Sequence, residues 1–161
     1  MSLRRLGNLI GFLACVGMLA FAYYLQYGPE KLHPCPLCIF ERIITAALAL
    51  VFLAALLNHP RRWGRWVYVA LVLIVAGIGV FVSARHLYIQ MHPEVVMSCG
   101  GASLKTMIAD LPFTTVVRTV LHGSGECAHV DKVLGFTLPG WVLVAMVVLG
   151  VGGIVANLRR H

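Results

Sequence analysis

Two cysteines separated by two residues, Cys35 and Cys38, stand at the start of a long apolar segment within HPCPLCIFER. Thiols at this spacing can form a disulfide, exchange disulfides with another protein or bind zinc. Pro36 suits the first turn of a helix, where its missing N–H leaves no hydrogen bond unmade. A helix that begins there places Cys38 in its first turn, where the positive end of the helix dipole favours a thiolate.

A second and more widely spaced pair of cysteines, Cys99 and Cys127, follows later in the chain. A thiolate of one pair can attack the disulfide of another and pass the oxidation on through a mixed disulfide. Two such pairs therefore predict a relay of disulfide exchange, if both lie on the same side of a membrane. The alternative for Cys99 and Cys127 is a plain disulfide that braces a loop.

The elements that must position these thiols are membrane-spanning helices. Of 161 residues, 60% are apolar and 12% charged, and the mean hydropathy is +0.87. A helix needs roughly 20 apolar residues to cross a bilayer. Four segments satisfy this requirement, at about residues 9–27, 38–57, 66–88 and 139–158.

Positive charges are distributed unequally between the two ends of these spans. Seven of the 13 basic residues flank the same ends, and the others balance the 6 acidic residues on the opposite side. Because cytoplasmic connections carry an excess of arginine and lysine, we expect both termini in the cytoplasm. The net charge of +7 then reflects orientation in the membrane, and we expect no nucleic-acid partner. The seven residues are Arg4, Arg5, Arg61, Arg62, Arg65, Arg159 and Arg160.

The connections between the spans predict the fold class. Short links around residues 28–34 and 58–65 imply antiparallel neighbours, hence an all-α membrane protein built as an up-down bundle of four transmembrane helices. We expect residues 1–161 to form a single integral membrane domain. The long outer loop, about residues 92–136, shows two short stretches of helical apolar periodicity. These predict amphipathic helices that lie on the bilayer surface or pack on the top of the bundle.

The same topology places four of the five cysteines on the outer side, where disulfides persist. Cys15 lies within the first span and is interpreted as a small apolar filler. A dithiol at the edge of the bilayer is suited to pass electrons to a lipid-soluble acceptor, which indicates a quinone. Arg42, one turn after Cys38 and charged within a span, is a candidate for that acceptor site, or else an anchor at the interface. His86 is either a residue of the acceptor site or a residue that packs in the core or contacts a lipid headgroup.

The chain resembles the disulfide bond formation protein B (DsbB) family of bacterial inner membranes. The similarity extends over essentially the whole chain. It rests on CPLCIFER at the head of the second span, on the outer cysteine pair ending in GSGEC, on RHLYIQ at the end of the third span and on LGFTLPGW before the fourth.

This resemblance implies a membrane thiol oxidase whose outer side is the periplasm. By resemblance, Cys99 accepts attack from a DsbA-type thioredoxin-fold oxidoreductase, and the released Cys127 then attacks Cys35. Cys38 is left as a thiolate that interacts with the ring of ubiquinone or menaquinone, which connects the protein to the respiratory chain. Arg42 and His86 match family residues at the quinone site.

Two other classes of function fit parts of the same pattern. One is a metal-binding membrane protein with Cys35, Cys38, His33 and one loop cysteine as zinc ligands. The other is a structural membrane subunit whose disulfides only brace its loops. We expect no metal site, because the second cysteine pair lacks compact ligand spacing. Loss of thiols on addition of quinone to the reduced protein distinguishes the redox function from both alternatives.

Overall fold

The computed structural model of this protein describes residues 3–28, 35–58, 63–92, 112, 114–115, 132–133 and 136–158. Within these residues the chain forms four long helices and one two-stranded antiparallel sheet of two residues per strand. Lys132 lies opposite Thr137 in that sheet. The elements are α1 (Leu3–Tyr27), α2 (Pro36–Asn58), α3 (Gly64–Met91), β1 (Lys132–Val133), β2 (Phe136–Thr137) and α4 (Leu138–Leu158).

All four helices are long and apolar enough to cross a membrane, which confirms the predicted four-helix membrane bundle. Each predicted span lies inside one helix, but the helices extend further. The largest difference is at α1, which begins at Leu3 rather than at residue 9. Apolar composition marks only the part of a helix that lies in hydrocarbon, whereas backbone hydrogen bonding continues into the polar interface.

Successive helices pack side by side, and α4 closes the ring by also packing against α1. A buried pair of amides, Asn8 and Asn157, joins α1 to α4. Asn157 Nδ2 donates to Asn8 Oδ1 at 3.0 Å, and Asn8 Nδ2 donates to Asn157 Oδ1 at 3.3 Å. Because an unpaired amide is costly in an apolar medium, this exchange sets the register of the first helix against the last.

Small residues let the helices approach closely around Phe52, which is 1% exposed. A Cβ atom built on Gly153 would lie 2.7 Å from the Phe52 ring, and one on Gly11 would lie 2.9 Å from it. Both distances are too short for real contacts, so an alanine at either position would force the Phe52 ring or the helix backbone to move. The ring of Phe52 thus occupies space that α1 and α4 leave open, as small residues do at helix interfaces in membranes.

Several sequence predictions fall on residues outside the described part of the chain. They are the amphipathic helices of the 92–136 loop, except for residues 112 and 114–115, and the second cysteine pair, Cys99 and Cys127. The alternative zinc ligand His33 and the arginines at positions 61, 62, 159 and 160 also lie outside that part of the chain. The assignment of residues 1–161 to a single domain stays a prediction.

Candidate functional site

Cys35 directly precedes helix α2 and acts as its N-terminal cap. Its carbonyl oxygen accepts the N–H of Ile39 at 3.2 Å, and its Sγ accepts the N–H of Cys38 at 3.3 Å. Pro36 occupies the first helical position, where no N–H is needed. The motif therefore starts the helix and positions both of its own thiols, since one sulfur satisfies an N–H that the helix leaves unpaired.

The two sulfur atoms lie close together in this first turn. Cys35 Sγ donates to Cys38 Sγ across 3.0 Å, a hydrogen-bond distance well beyond the roughly 2.05 Å of a disulfide. The pair is thus arranged as a dithiol in which the Cys38 sulfur is the acceptor. Because Cys38 Sγ accepts from the Cys35 thiol and lies in the first turn of the helix, it is suited to carry negative charge.

His86 of α3 approaches this dithiol from the neighbouring helix. Its Nε2 lies 3.6 Å from Cys35 Sγ, and its Nδ1 lies 3.2 Å from Glu41 Oε1. With Glu41 as a carboxylate, which only accepts hydrogen bonds, Nδ1 carries the proton and Nε2 presents its lone pair to the thiol. Thiol, imidazole and carboxylate therefore form a continuous chain between α2 and α3.

The chain of polar groups is enclosed by apolar side chains. His86 is 1% exposed and Glu41 is 6% exposed. Charged and polar groups at such burial interact more strongly than they would in water, because little solvent screens them. The enclosing cluster consists of Leu37, Val82 and Ile89, with Phe40 and Ile44 packed against it.

Arg42 is the next residue after Glu41, but its guanidinium group contacts helix α1. It donates to Gln26 Oε1 and to the carbonyl oxygen of Ala22, the latter at 3.1 Å. The guanidinium carbon also lies 5.2 Å from the centre of the Tyr23 ring, within the range of a cation–π contact. Arg42 is therefore held between α1 and α2, whereas Glu41 turns toward α3.

A groove of about 370 Å³ lies beside Arg42. Arg42, Gln26, Tyr23 and Tyr27 supply polar groups along it, and aliphatic side chains supply the rest. A second, apolar cavity of about 290 Å³ lies between α1 and α4 and includes Ala22 in its lining. Further lining residues are Leu19, Ile39 and Ile43 in the groove, and Met18, Phe21, Trp141 and Val142 in the cavity.

The structure brings together three of the residues chosen from the sequence, Cys35, Cys38 and His86, and places Arg42 on the adjoining face of α2. His86 lies in the buried core and also approaches Cys35, and its assignment to the acceptor site stays a prediction. Glu41 was not among the chosen residues. An acidic residue within a span is a functional candidate by default, and that signal was present in the sequence.

The chain is also similar to proteins of a known family. The family model described as disulfide bond formation protein DsbB matches residues 4–156. Together with the four-helix membrane fold, this match identifies a membrane protein of disulfide-bond formation, with an oxidoreductase role. The chain belongs to the DsbB family, as its resemblance predicted.

Several curated relatives are similar to the chain over most of their length. The chain is 43% identical to disulfide bond formation protein B of Nitrosococcus oceani, over 88% of this chain and 84% of the relative. It is 43% identical to that of Xanthomonas euvesicatoria pv. vesicatoria, over 95% and 90%. It is 42% identical to that of Methylococcus capsulatus, over 88% and 87%. No solved structure matches the chain significantly.

Proposed function

We propose that this protein is a protein-disulfide:quinone oxidoreductase that reoxidises a soluble DsbA-type thiol oxidoreductase and passes the electrons to a membrane quinone. The observation that carries the proposal is the buried contact of Cys35 with both Cys38 and His86 at the first turn of a membrane-spanning helix. It combines a dithiol and a base for its proton at the end of a helix that is long and apolar enough to cross a membrane.

Disulfide exchange would take place on the outer side of the membrane. The reduced partner transfers two electrons and two protons to the Cys99–Cys127 disulfide and leaves with its own disulfide formed. The resulting Cys127 thiolate attacks Cys35 of an oxidised Cys35–Cys38 pair and releases Cys38 as a thiolate. Cys99 then attacks Cys127 of the mixed disulfide, which re-forms the Cys99–Cys127 disulfide and leaves Cys35 and Cys38 reduced. This order of steps rests on the family resemblance, since Cys99 and Cys127 lie outside the described residues.

The contacts of Cys35 and Cys38 support the second half of the reaction. To become a disulfide again, the pair must lose two protons and two electrons. Cys38 Sγ accepts the hydrogen bond from Cys35 and so suits the thiolate role. His86 Nε2 is placed to take the proton of Cys35, and the Glu41 carboxylate stabilises the imidazolium that results. A base oriented by a third group is the usual way to activate a nucleophile.

The groove beside Arg42 supports quinone as the acceptor. A quinone bound there would supply a two-electron, two-proton acceptor that is soluble in lipid. Arg42 and Gln26 offer N–H donors of the kind that quinone carbonyl groups require, and the aliphatic lining suits an isoprenoid chain. The groove has a volume near the lower end of the range for small-molecule sites. Ubiquinone and menaquinone share the chemistry that these residues would recognise.

Charge asymmetry supports the proposed placement of the reaction. The arginines at one set of helix ends orient that face toward the cytoplasm, so the termini would be cytoplasmic and the dithiol would face the periplasm of a bacterial inner membrane. There the partner meets newly secreted proteins, and the quinone pool connects the bilayer to the respiratory chain.

The test is a count of thiols in the full chain, purified in detergent and fully reduced. Adding a stoichiometric amount of a short-chain ubiquinone under anaerobic conditions should remove two thiols for each quinone reduced. The Cys38→Ser variant should lose none and reduce no quinone. Quinone-independent thiol loss, or full quinone reduction by Cys38→Ser, would contradict the proposed function.

A further inference from the structure

Three soft ligand atoms converge at the head of α2. The Sγ atoms of Cys35 and Cys38 and a ring nitrogen of His86 all lie within 4.8 Å of one another. We propose that the dithiol form of this protein binds a thiophilic divalent cation, with Zn²⁺ as the reference ion, through Cys35, Cys38 and His86. This site differs from the zinc alternative raised by the sequence, because it needs neither His33 nor a cysteine of the outer loop.

The distances fit a zinc site after a small movement of one side chain. With zinc bonds of about 2.3 Å to sulfur and about 2.05 Å to nitrogen, tetrahedral geometry separates a sulfur ligand from a nitrogen ligand by about 3.6 Å and two sulfurs by about 3.8 Å. Cys35 Sγ already lies 3.6 Å from His86 Nε2. The two sulfurs are 3.0 Å apart and have to separate by about 0.8 Å, which rotation of Cys38 can supply.

Glu41 completes the arrangement that metal-binding histidines use. Such a histidine donates its other ring N–H to a carboxylate, which holds the ring in place and raises the basicity of the ligating nitrogen. Glu41 Oε1 lies 3.2 Å from Nδ1 of His86, so Nε2 is directed at the sulfurs. Two thiolates and one imidazole are a ligand set of catalytic zinc sites, in which a fourth position is left for water.

Metal binding at this site would depend on the redox state of the protein. Forming the Cys35–Cys38 disulfide consumes both thiolates, so only the dithiol form has ligands to offer. Conversely, a bound cation holds the two sulfurs apart and occupies their lone pairs, and disulfide formation then requires its release. The cation would therefore trap the reduced enzyme, and removal of the cation by a chelator would restore it.

The experiment uses the full chain without an affinity tag, reduced, freed of reductant and kept anaerobic in detergent. Co²⁺ serves as the probe because it takes tetrahedral sites like those of zinc and gives thiolate-to-cobalt charge-transfer bands. We expect one Co²⁺ per chain with these bands, displaced by one equivalent of Zn²⁺. The same preparation oxidised at Cys35 and Cys38 should give no such bands. Neither quinone nor partner is present, so failure here leaves the proposed function untouched.

Variants assign the ligands. His86→Ala should weaken binding at least 10-fold, and His86→Cys, which restores a soft ligand, should recover most of it. Glu41→Gln should weaken binding about 10- to 100-fold through the lost support of the histidine. A double variant, Cys99→Ser with Cys127→Ser, should bind as the parent does. Bands that vanish in the double variant, an unchanged affinity in His86→Ala, or equal binding by the oxidised protein would each overturn the proposed site.

Discussion

The contact between Glu41 and His86 gives the sharpest prediction for the redox reaction. Replacing Glu41 with glutamine keeps the size of the side chain and a hydrogen-bond acceptor for Nδ1, but removes the negative charge. When His86 takes the proton of Cys35, the wild-type carboxylate faces a positive imidazolium at 3.2 Å. The variant offers only an amide dipole at that point, so proton transfer becomes less favourable.

The expected magnitude follows from this distance and from the burial of both groups. Two unit charges 3.2 Å apart attract by about 5 kcal/mol at an effective dielectric constant of about 20. A complete general base contributes about 10²- to 10⁴-fold to a rate. Because the glutamine oxygen keeps the hydrogen bond, we expect Glu41→Gln to slow quinone reduction by about 100-fold, near the lower end of that range.

A single-turnover assay measures this effect. Reduced protein is mixed with excess short-chain quinone in the presence of a chelator, and the rate is followed by quinone absorbance between about pH 6 and pH 8. The deficit of the variant should shrink as the pH rises, because hydroxide then replaces the internal base. A deficit that is equal at all pH values would show that Glu41 only supports the fold, and an unchanged rate would refute its part in proton transfer.

Thr45 offers a matched control for this variant. It is buried one turn deeper on the same helix, and its hydroxyl donates to the carbonyl oxygen of Glu41 at 2.7 Å. Thr45→Val removes this buried polar group at nearly constant volume without altering the carboxylate. We expect it to retain the wild-type rate and pH profile, which would assign the loss in Glu41→Gln to the missing charge.

Four further predictions concern the acceptor site, the relay, the packing and the topology. Arg42→Leu should raise the Michaelis constant for quinone about 10-fold or more, with Arg42→Lys intermediate because it keeps charge but loses the planar fork. Cys99→Ala should abolish reoxidation of the partner but leave quinone reduction by the dithiol intact. Gly153→Ala should cost about 1–3 kcal/mol by overpacking, measured as a lower melting temperature. A phosphatase fused after Ser124 should be active and one fused after Arg65 inactive.

Each of these has an outcome that would contradict it. Unchanged quinone kinetics in both Arg42 variants would mean that this residue is only an anchor at the membrane interface. Full oxidation of the partner by Cys99→Ala would contradict the proposed relay of disulfide exchange. The control for packing is Gly152→Ala, since a Cβ there meets nothing within 4 Å; an equal loss in both variants would refute the packing argument. An active fusion after Arg65 would place the dithiol in the reducing cytoplasm.

The sequence alone determined the membrane class, the number of spans and the start of α2. Apolar length and arginine placement are local properties, and a proline between two cysteines marks a helix start without any tertiary contact. The dithiol was predictable for the same reason, since Cys35 and Cys38 are neighbours in the chain. Family resemblance then supplied the roles of the more distant cysteines.

Only the tertiary structure decided what surrounds the dithiol. Glu41 and His86 are 45 residues apart, and nothing in the periodicity of either helix shows which faces of α2 and α3 meet. Adjacent residues Glu41 and Arg42 diverge to different neighbours because successive side chains on a helix point about 100° apart. Glu41 therefore contacts His86, which approaches Cys35, whereas Arg42 contacts α1 and lines the groove beside it. That division depends on helix packing, which fixes contacts between residues that are far apart in sequence.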